Sequence, residues 1–372
     1  MGYRQRIEDL FVRTSDGIRL AVACINRSLG LAAIVVEGAG RFVDIITDGD
    51  IRRAILDGMS LEASIEDLLG HKRSLMAHPP VVARDNLSKE DLFRLLSDKE
   101  VSIAPILDST GRVVDLVCVD DLIPDCMPNL QAVVMAGGLG TRLRPLTTNT
   151  PKPMLLVGDR PLLELTIESL KSAGISRVNV STHFLPEKIQ EHFGDGSDFG
   201  VQINYLNEDT PLGTAGALAM MGEVSEPLLV INGDVLTQVD FRAMLSFHRE
   251  HNAVLTVAVR QFDLPVPFGV MECDGVSVRA VREKPTYNFF VSAGIYLLEP
   301  SVCKSVPKGS RFDMPDLINQ LIQNGQSVVS FPIMEYWLDI GQHMDYAKAQ
   351  EDARAGLFET DEANSMSDGA MK

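Results

Sequence analysis

The stretch VVMAGGLGTRLRPLTTNTPKPM, Val133 to Met154, runs an apolar, strand-like segment directly into a glycine loop and then supplies Arg142, Arg144 and Lys152. Gly137, Gly138 and Gly140 let the backbone approach an anion closely and offer several N–H donors in a concave turn. The string lacks the GxxxxGK[ST] of a Walker loop, and Leu143 stands where a dinucleotide fingerprint has its third glycine. An incidental turn does not account for three cations so near one strand end. These residues predict a local site for a polyanion.

Downstream, the strand-like runs QAVVMAGG, RVNVSTH, VQINYLNE, PLLVINGD and AVLTVAVR alternate with the helix-like runs PLLELTIESLKSAG, PEKIQEHFG, TAGALAMMGEV and DFRAMLSFHREH. That alternation predicts an α/β domain, Rossmann-like, with a mixed but mostly parallel sheet and helices on both faces. Ligands of such sheets bind at the carboxyl ends of strands, here the loops after Val134, Tyr205 and Ile231. Upstream, Ala32–Ile55 (AAIVVEGAGRFVDIITDGDIRRAI) aligns without a gap on Ile103–Cys126 (IAPILDSTGRVVDLVCVDDLIPDC). Each copy reads as strand, glycine turn, strand and acidic helix start, so the pair predicts a small α+β module. IPDCMPNLQ, with two prolines and no periodicity, reads as the seam. The expected division is 1–127, 128–355 and a polar, disordered tail over 356–372.

The bulk composition narrows the function classes. The chain has 372 residues and a net charge of −17, which argues against a nucleic-acid partner needing a basic face. Its five cysteines show no CxxC spacing, so neither a zinc site nor a disulfide framework is indicated. No signal peptide and no membrane-length apolar run is evident, and a cytoplasmic protein is expected. Two aspartates at the ends of apolar runs, Asp234 in VINGDVL and Asp339 in EYWLDIGQ, are candidate holders of Mg²⁺, which favours carboxylates plus substrate phosphates. The histidines lack the paired spacing of a transition-metal site.

Two resemblances give these residues roles. VDIITDGDIRRAI resembles the second half of a CBS motif, and the pair of repeats resembles a CBS tandem. That resemblance implies an adenine nucleotide held by Thr47 and Asp50, with Asp121 as the counterpart of Asp50, although Cys118 replaces the threonine in the second copy. It also implies a regulatory or oligomerising role, and a homo-oligomer is expected. GGLGTRLRPLTTNTPKPM resembles the signature of sugar-1-phosphate nucleotidyltransferases, with the likeness running over about residues 131 to 350. It implies that Gly137, Gly138, Gly140 and Thr141 hold a nucleoside triphosphate. Arg142 then grips its β and γ phosphates, Lys152 contacts the α phosphate, and Asp234 and Asp339 bind Mg²⁺. It further implies that Glu283, Lys284 and Gly294, in VREKPTYNFFVSAGIY, bind the sugar phosphate.

YLNEDTPLGTAGAL resembles the family's base-reading loop, which places Glu208 and Gly213 near the base. A carboxylate only accepts hydrogen bonds, and guanine offers N1–H and N2 side by side, so GTP is favoured. Glucosamine 1-phosphate or mannose 1-phosphate is the expected co-substrate. The fusion resembles CBS-linked glucosamine-1-phosphate guanylyltransferases of legionaminic acid biosynthesis. The alternatives are UTP or dTTP with glucose 1-phosphate, and a catalytically inactive nucleotide-sensing subunit.

Overall fold

A computed structural model describes residues 7–27, 32–75, 79–99, 101–122 and 130–358. The chain divides into two compact units, Met1–Met127 and Pro128–Lys372.

The first unit contains β1 (Phe11–Val12), α1 (Ile18–Arg27), β2 (Ala32–Glu37), β3 (Arg41–Thr47), α2 (Asp48–Leu56), α3 (Ile65–Leu75), β4 (Ala83–Arg84), α4 (Lys89–Asp98), β5 (Ile103–Leu107), β6 (Val113–Cys118) and α5 (Val119–Leu122). The strands form two three-stranded sheets, β1-β2-β3 and β4-β5-β6, each with its first pair parallel and its second antiparallel. The sequence repeat reappears in the ladders. A bulge between Val35 and Val36 has its counterpart between Ile106 and Leu107, the aligned positions. Arg41 bridges Arg112, its own aligned partner, with Phe42 N–H donating to Gly111 O and Val113 N–H to Gly40 O, both at 3.1 Å. Aligned residues bonding to each other place a pseudo-two-fold axis at that bridge. Leu10, Ile34, Val36, Leu107 and Val113 form one buried cluster from both copies.

The second unit contains β7 (Gln131–Met135), β8 (Leu156–Val157), β9 (Arg160–Pro161), α6 (Leu162–Ser172), β10 (Arg177–Thr182), α7 (Pro186–Phe193), β11 (Gln202–Asn207), α8 (Gly213–Gly216), β12 (Leu228–Asn232), β13 (Val235–Thr237) and α9 (Phe241–Glu250). It continues with β14 (Leu255–Pro265), β15 (Val270–Asp274), β16 (Ser277–Arg282), β17 (Thr286–Leu298), α10 (Pro300–Cys303), α11 (Met314–Gln323), β18 (Val328–Pro332), β19 (Trp337–Asp339) and α12 (His343–Arg354). Seven strands make one sheet in the order β11-β10-β7-β12-β17-β14-β18. Only β17 runs antiparallel to its neighbours. The architecture is therefore mixed, mostly parallel α/β, as the alternating runs imply.

Local chemistry sets the elements. β7 and β12 are rich in Val, Leu and Ile and are buried along most of their length, the pattern of a sheet covered on both faces. α9 starts at Asp240, whose side chain accepts from Arg242 N and Ala243 N, and it buries Phe241, Met244, Leu245 and His248 on one face. TAGALAMMGEV departs from expectation. One α turn, Gly213–Gly216, passes into a 3₁₀ turn, Ala217–Met220, and the chain is extended at Met221. Its glycines and the packing of Ala215 and Leu218 into the core outweigh the helix-like composition.

Residues 356–358, assigned to the tail from the sequence, are among the described residues. Phe358 packs its ring on Tyr336 with centroids 5.6 Å apart, and its carbonyl accepts from Arg160 Nη2 at 2.7 Å. An aromatic side chain with an apolar cluster in reach stays ordered. Residues 359–372 lie outside the described residues. No helix among the described residues is long and apolar enough to cross a membrane.

Candidate active site

β7 delivers the glycine loop to the carboxyl edge of the sheet. Gly140 adopts φ +60°, and a Cβ there would lie 2.9 Å from Thr147 Cγ2, so only glycine fits without displacement. Thr147, itself buried, donates its hydroxyl to Gly140 O at 2.7 Å and braces the loop. Leu143, where a dinucleotide fingerprint would need glycine, is buried against Leu155, Leu162, Leu236 and Ile340. It anchors the 3₁₀ turn Thr141–Leu143 that carries Arg142. A second 3₁₀ turn, Lys152–Met154, carries Lys152, whose Nζ lies 2.6 Å from Asp234 Oδ2.

The acidic pair comes from separate parts of the chain. β12 ends at Asn232 and is followed by Gly233, where a Cβ would stand 2.7 Å from Met135 O; the bare backbone lets Gly233 N–H donate to that carbonyl and sets Asp234 just past the strand. β13 pairs antiparallel with β19, Val235 opposite Asp339, and Ile340 N–H donates to Asp234 O at 2.9 Å. Burial and then the Asp234 carboxylate push the Asp339 carboxyl above its usual range, while Lys152 and Arg142 pull it down. Asp339 is exposed as a residue, yet the protein packed around its carboxylate removes part of its hydration. A Cβ on Gly341 would be 3.6 Å from Arg142 Nη1 and 3.8 Å from Asp339 Oδ2, which places guanidinium and carboxylate at the same backbone position.

Two carboxylates near enough for Asp234 to raise the Asp339 pKa suit a hard divalent cation, which takes oxygen ligands. Among the described residues, no group of three or more His, Cys, Asp or Glu is gathered as a metal cage. A cation here would therefore draw its remaining ligands from water or substrate oxygens. Asn232 Oδ1, buried two residues before Asp234, has no hydrogen-bond partner and marks a second acceptor at this strand end.

A cleft of about 340 Å³ unites these features. Gly137, Gly138, Gly140, Thr141, Arg142, Lys152, Gly213 and Asp234, all expected from the sequence, line it, together with Pro211, Arg311 and Gly341. The three loops that the sheet rule indicates, after β7, β11 and β12, supply all of these but Arg311 and Gly341. Arg144 is exposed and is not a lining residue.

Other predicted residues lie elsewhere. Glu208 is close, with Oε1 3.2 Å from a Cβ position on Gly137, but it is buried and its carboxylate is engaged within the protein. One oxygen accepts from the Ser181 hydroxyl and the other from Leu212 N–H at 2.8 Å. The carboxylate expected to face guanine thus braces the 208–212 turn. Glu283 and Lys284 sit on the exposed link between β16 and β17 and do not line the cleft. Lys284 holds the left-handed conformation at φ +46°, uncommon for a side-chain-bearing residue. Gly294, in β17, lies against the Asn232 side chain.

In the first unit, Thr47 and Asp50 form a reciprocal capping box at the start of α2. Asp50 is buried, and its carboxylate meets Lys72 Nζ at 3.1 Å and Arg53 Nη2 at 2.7 Å. Lys72 also reaches Asp44 at 3.4 Å and donates to Ile45 O. The carboxylate expected to accept from ribose is therefore already paired. The Asp121 side chain lies outside the described residues.

Sequence reasoning missed Thr147, Asn232 and Gly341, each a near neighbour of a predicted residue. It also missed Arg311, which no local motif marks.

Comparison with known proteins accords with this arrangement. Residues 131–356 match the nucleotidyl transferase family and residues 73–124 the CBS domain. A mannose-1-phosphate guanylyltransferase of Mycobacterium tuberculosis is 35% identical over 237 residues, 61% of this chain and 66% of that protein. A UTP--glucose-1-phosphate uridylyltransferase of Synechocystis is 32% identical over 241 residues, 59% of this chain and 62% of that protein. The chain thus spans less than two thirds of either relative. A Bacillus anthracis crystal structure assigned as a glucose-1-phosphate thymidylyltransferase is 25% identical, with TM-score 0.50, over 60% of this chain and 95% of that one. With a glycine loop, two cations and an acidic pair meeting where the sheet's strands end, and with that family match covering the whole of it, this chain belongs to the nucleotidyl transferase family and carries a CBS domain.

Proposed function

We propose that this protein condenses a sugar 1-phosphate with a nucleoside triphosphate, GTP being favoured, to give a nucleotide-sugar and pyrophosphate. The observation that carries this reading is the single cleft in which the glycine loop, Arg142, Lys152 and Asp234 converge, with Asp339 beside it. The 35% identity to a mannose-1-phosphate guanylyltransferase supports GTP and a hexose 1-phosphate, with mannose and glucosamine as the first sugars to try.

The reaction is one in-line displacement. A phosphate oxygen of the sugar 1-phosphate forms a bond to the α phosphorus, and the bond from that phosphorus to the oxygen bridging to the β phosphate breaks. No general base is required, because the attacking oxygen is already ionised near neutral pH. The glycine-loop N–H groups and Arg142 hold the outer phosphates. Lys152, delivered by its short turn and steadied by Asp234, faces the charge that develops at the α phosphate. Mg²⁺ bound at Asp234 and Asp339 would neutralise phosphate charge. Glu283, Lys284 and Gly294 belong to this proposal as the sugar-phosphate side. Catalysis of this kind is mostly positioning.

At the CBS pair, an adenine nucleotide reaching Thr47 and Asp50 has to displace Lys72 from Asp50, and self-association through this unit is part of the same proposal. The Synechocystis relative favours a second reading, UTP with glucose 1-phosphate. A pyrophosphate-release screen of five nucleoside triphosphates against mannose, glucosamine and glucose 1-phosphates separates the readings. Release with GTP and a hexose 1-phosphate is expected; no release from any pair overturns the activity.

A further inference from the structure

The cleft holds a third cation that the reaction above leaves without a role. Arg311 precedes α11 on a segment laced to the 212–215 turn: Phe312 N–H donates to Leu212 O at 2.8 Å and Ala215 N–H to Phe312 O at 3.0 Å. Asp313 completes the lacing. Its Oδ1 accepts from Thr214 N–H at 2.9 Å, and its Oδ2 accepts from Arg311 Nε and lies 3.2 Å from Arg311 Nη2. The guanidinium is therefore held along its Nε–Nη2 edge. Its outer edge, Nη1 with the second hydrogen of Nη2, is left to the cleft, and the side chain is 73% exposed.

The other two cations stand on a different wall. Lys152 is paired with Asp234, and Arg142 lies beside Asp339, so the phosphate-binding charges collect there. Arg311 comes from the wall formed by Pro211 and Gly213. With both oxygens bonded to Ser181 and Leu212, the Glu208 carboxylate is not free to pair with a base.

We propose that Arg311 is a base-reading residue that selects guanine, its Nη1 and Nη2 donating to O6 and N7 of the purine. This rests on the GTP reading given above. The fork of a guanidinium matches two adjacent acceptors, and guanine presents such a pair on its Hoogsteen edge. Adenine places an amino donor beside N7, and uracil or thymine offers no adjacent pair of acceptors there. Asp313 is the positioning residue, fixing the guanidinium and the 213–214 turn with its two oxygens.

The test compares kcat/KM of the full-length protein and its Arg311→Ala and Arg311→Lys variants with GTP, 7-deaza-GTP, ITP and UTP at saturating sugar 1-phosphate. 7-Deaza-GTP lacks N7, whereas ITP keeps both Hoogsteen acceptors and lacks only the 2-amino group. The native protein should use 7-deaza-GTP about 10-fold less well than GTP, and Arg311→Ala should reduce GTP use roughly 10- to 100-fold. The variant should also cease to distinguish GTP from 7-deaza-GTP, and lysine, a point charge without the fork, should not restore the distinction. An equal loss with all four nucleotides would make Arg311 a phosphate contact and overturn the proposal. Equal use of GTP and 7-deaza-GTP by the native protein would overturn it while leaving the GTP reading intact. Turnover of UTP without turnover of GTP would overturn both.

Discussion

Lys152 joins two demands that usually conflict: its side chain is buried, yet in the proposed reaction its ammonium meets substrate. The Asp234 contact at 2.6 Å resolves them by holding the charged end at the cleft floor. Lys152→Ala should lower turnover by roughly 10²- to 10³-fold, the usual loss for one fixed donor to a developing charge. Asp234 keeps access to solvent, so the melting temperature should move by less than about 4 °C. A variant turning over at the native rate would remove Lys152 from the mechanism. Asp339→Asn tests the acidic pair. The half-saturating Mg²⁺ concentration for pyrophosphate release should rise at least about 10-fold, and chelation of the native protein should abolish release. An unchanged Mg²⁺ dependence would separate Asp339 from metal binding. Trp337, whose indole donates to Ala293 O at 2.8 Å two residues before Asp339, supplies a fluorescence readout of the same titration.

At the scale of elements, the glycine loop and α9 make contrasting predictions. Gly140→Ala places a side chain in a left-handed conformation, costing about 1–2 kcal/mol, and drives its Cβ toward Thr147. The apparent KM for the nucleotide should rise, and Thr147→Ser, which removes the colliding methyl and keeps the hydroxyl bond, should partly rescue it. Failure of that rescue would show that the loop is braced by something else. On α9, His248 is buried between Thr256 and Glu299, with ring nitrogens 2.7 and 3.2 Å from them. Burial holds its pKa below the ordinary 6.5, against the upward pull of Glu299. As pH falls through 6.5, the unfolded chain therefore takes up a proton that the folded chain resists, and stability is lost. The urea midpoint of the native protein should decline from pH 7.5 to pH 5.5, and His248→Gln should flatten that decline. An identical slope in both proteins would rule His248 out as the source.

For the whole molecule, the question is what the duplicated first unit, matched to the CBS domain over residues 73–124, contributes to a chain whose proposed chemistry is held in the other unit. The Lys72 ammonium already satisfies Asp50 and Asp44, so ligand binding at Thr47 competes with an internal cation. Lys72→Met should remove the competing cation from Asp50 Oδ2, which keeps its bond from Thr47 N–H, and raise AMP affinity several-fold in calorimetric titration of the full chain. If neither native protein nor variant binds AMP, ADP or ATP, and none of them alters turnover, the regulatory reading is wrong. Much of this organisation was legible beforehand. The aligned copies at Ala32 and Ile103 announced the repeat because each bulge and turn demands the same residue types twice. The strands after the seam were legible because buried parallel strands are continuous apolar runs. The short α8 region and the ordered Phe358 were not, because both depend on packing against distant residues.

The sequence by itself determined the α/β alternation, the duplicated first unit, the glycine loop and the identity of the cations and acids, since these are matters of local spacing and side-chain chemistry. Only the tertiary structure decided which of them meet. It joined Asp234 to Asp339 through a two-stranded pairing, turned Glu208 away from the cleft, locked Asp50 onto Lys72, and brought Arg311 to the glycine loop from far along the chain. Hydrogen bonds and ion pairs are assigned by proximity in space, and a carboxylate or guanidinium carries nothing in its own position in the chain that names its partner.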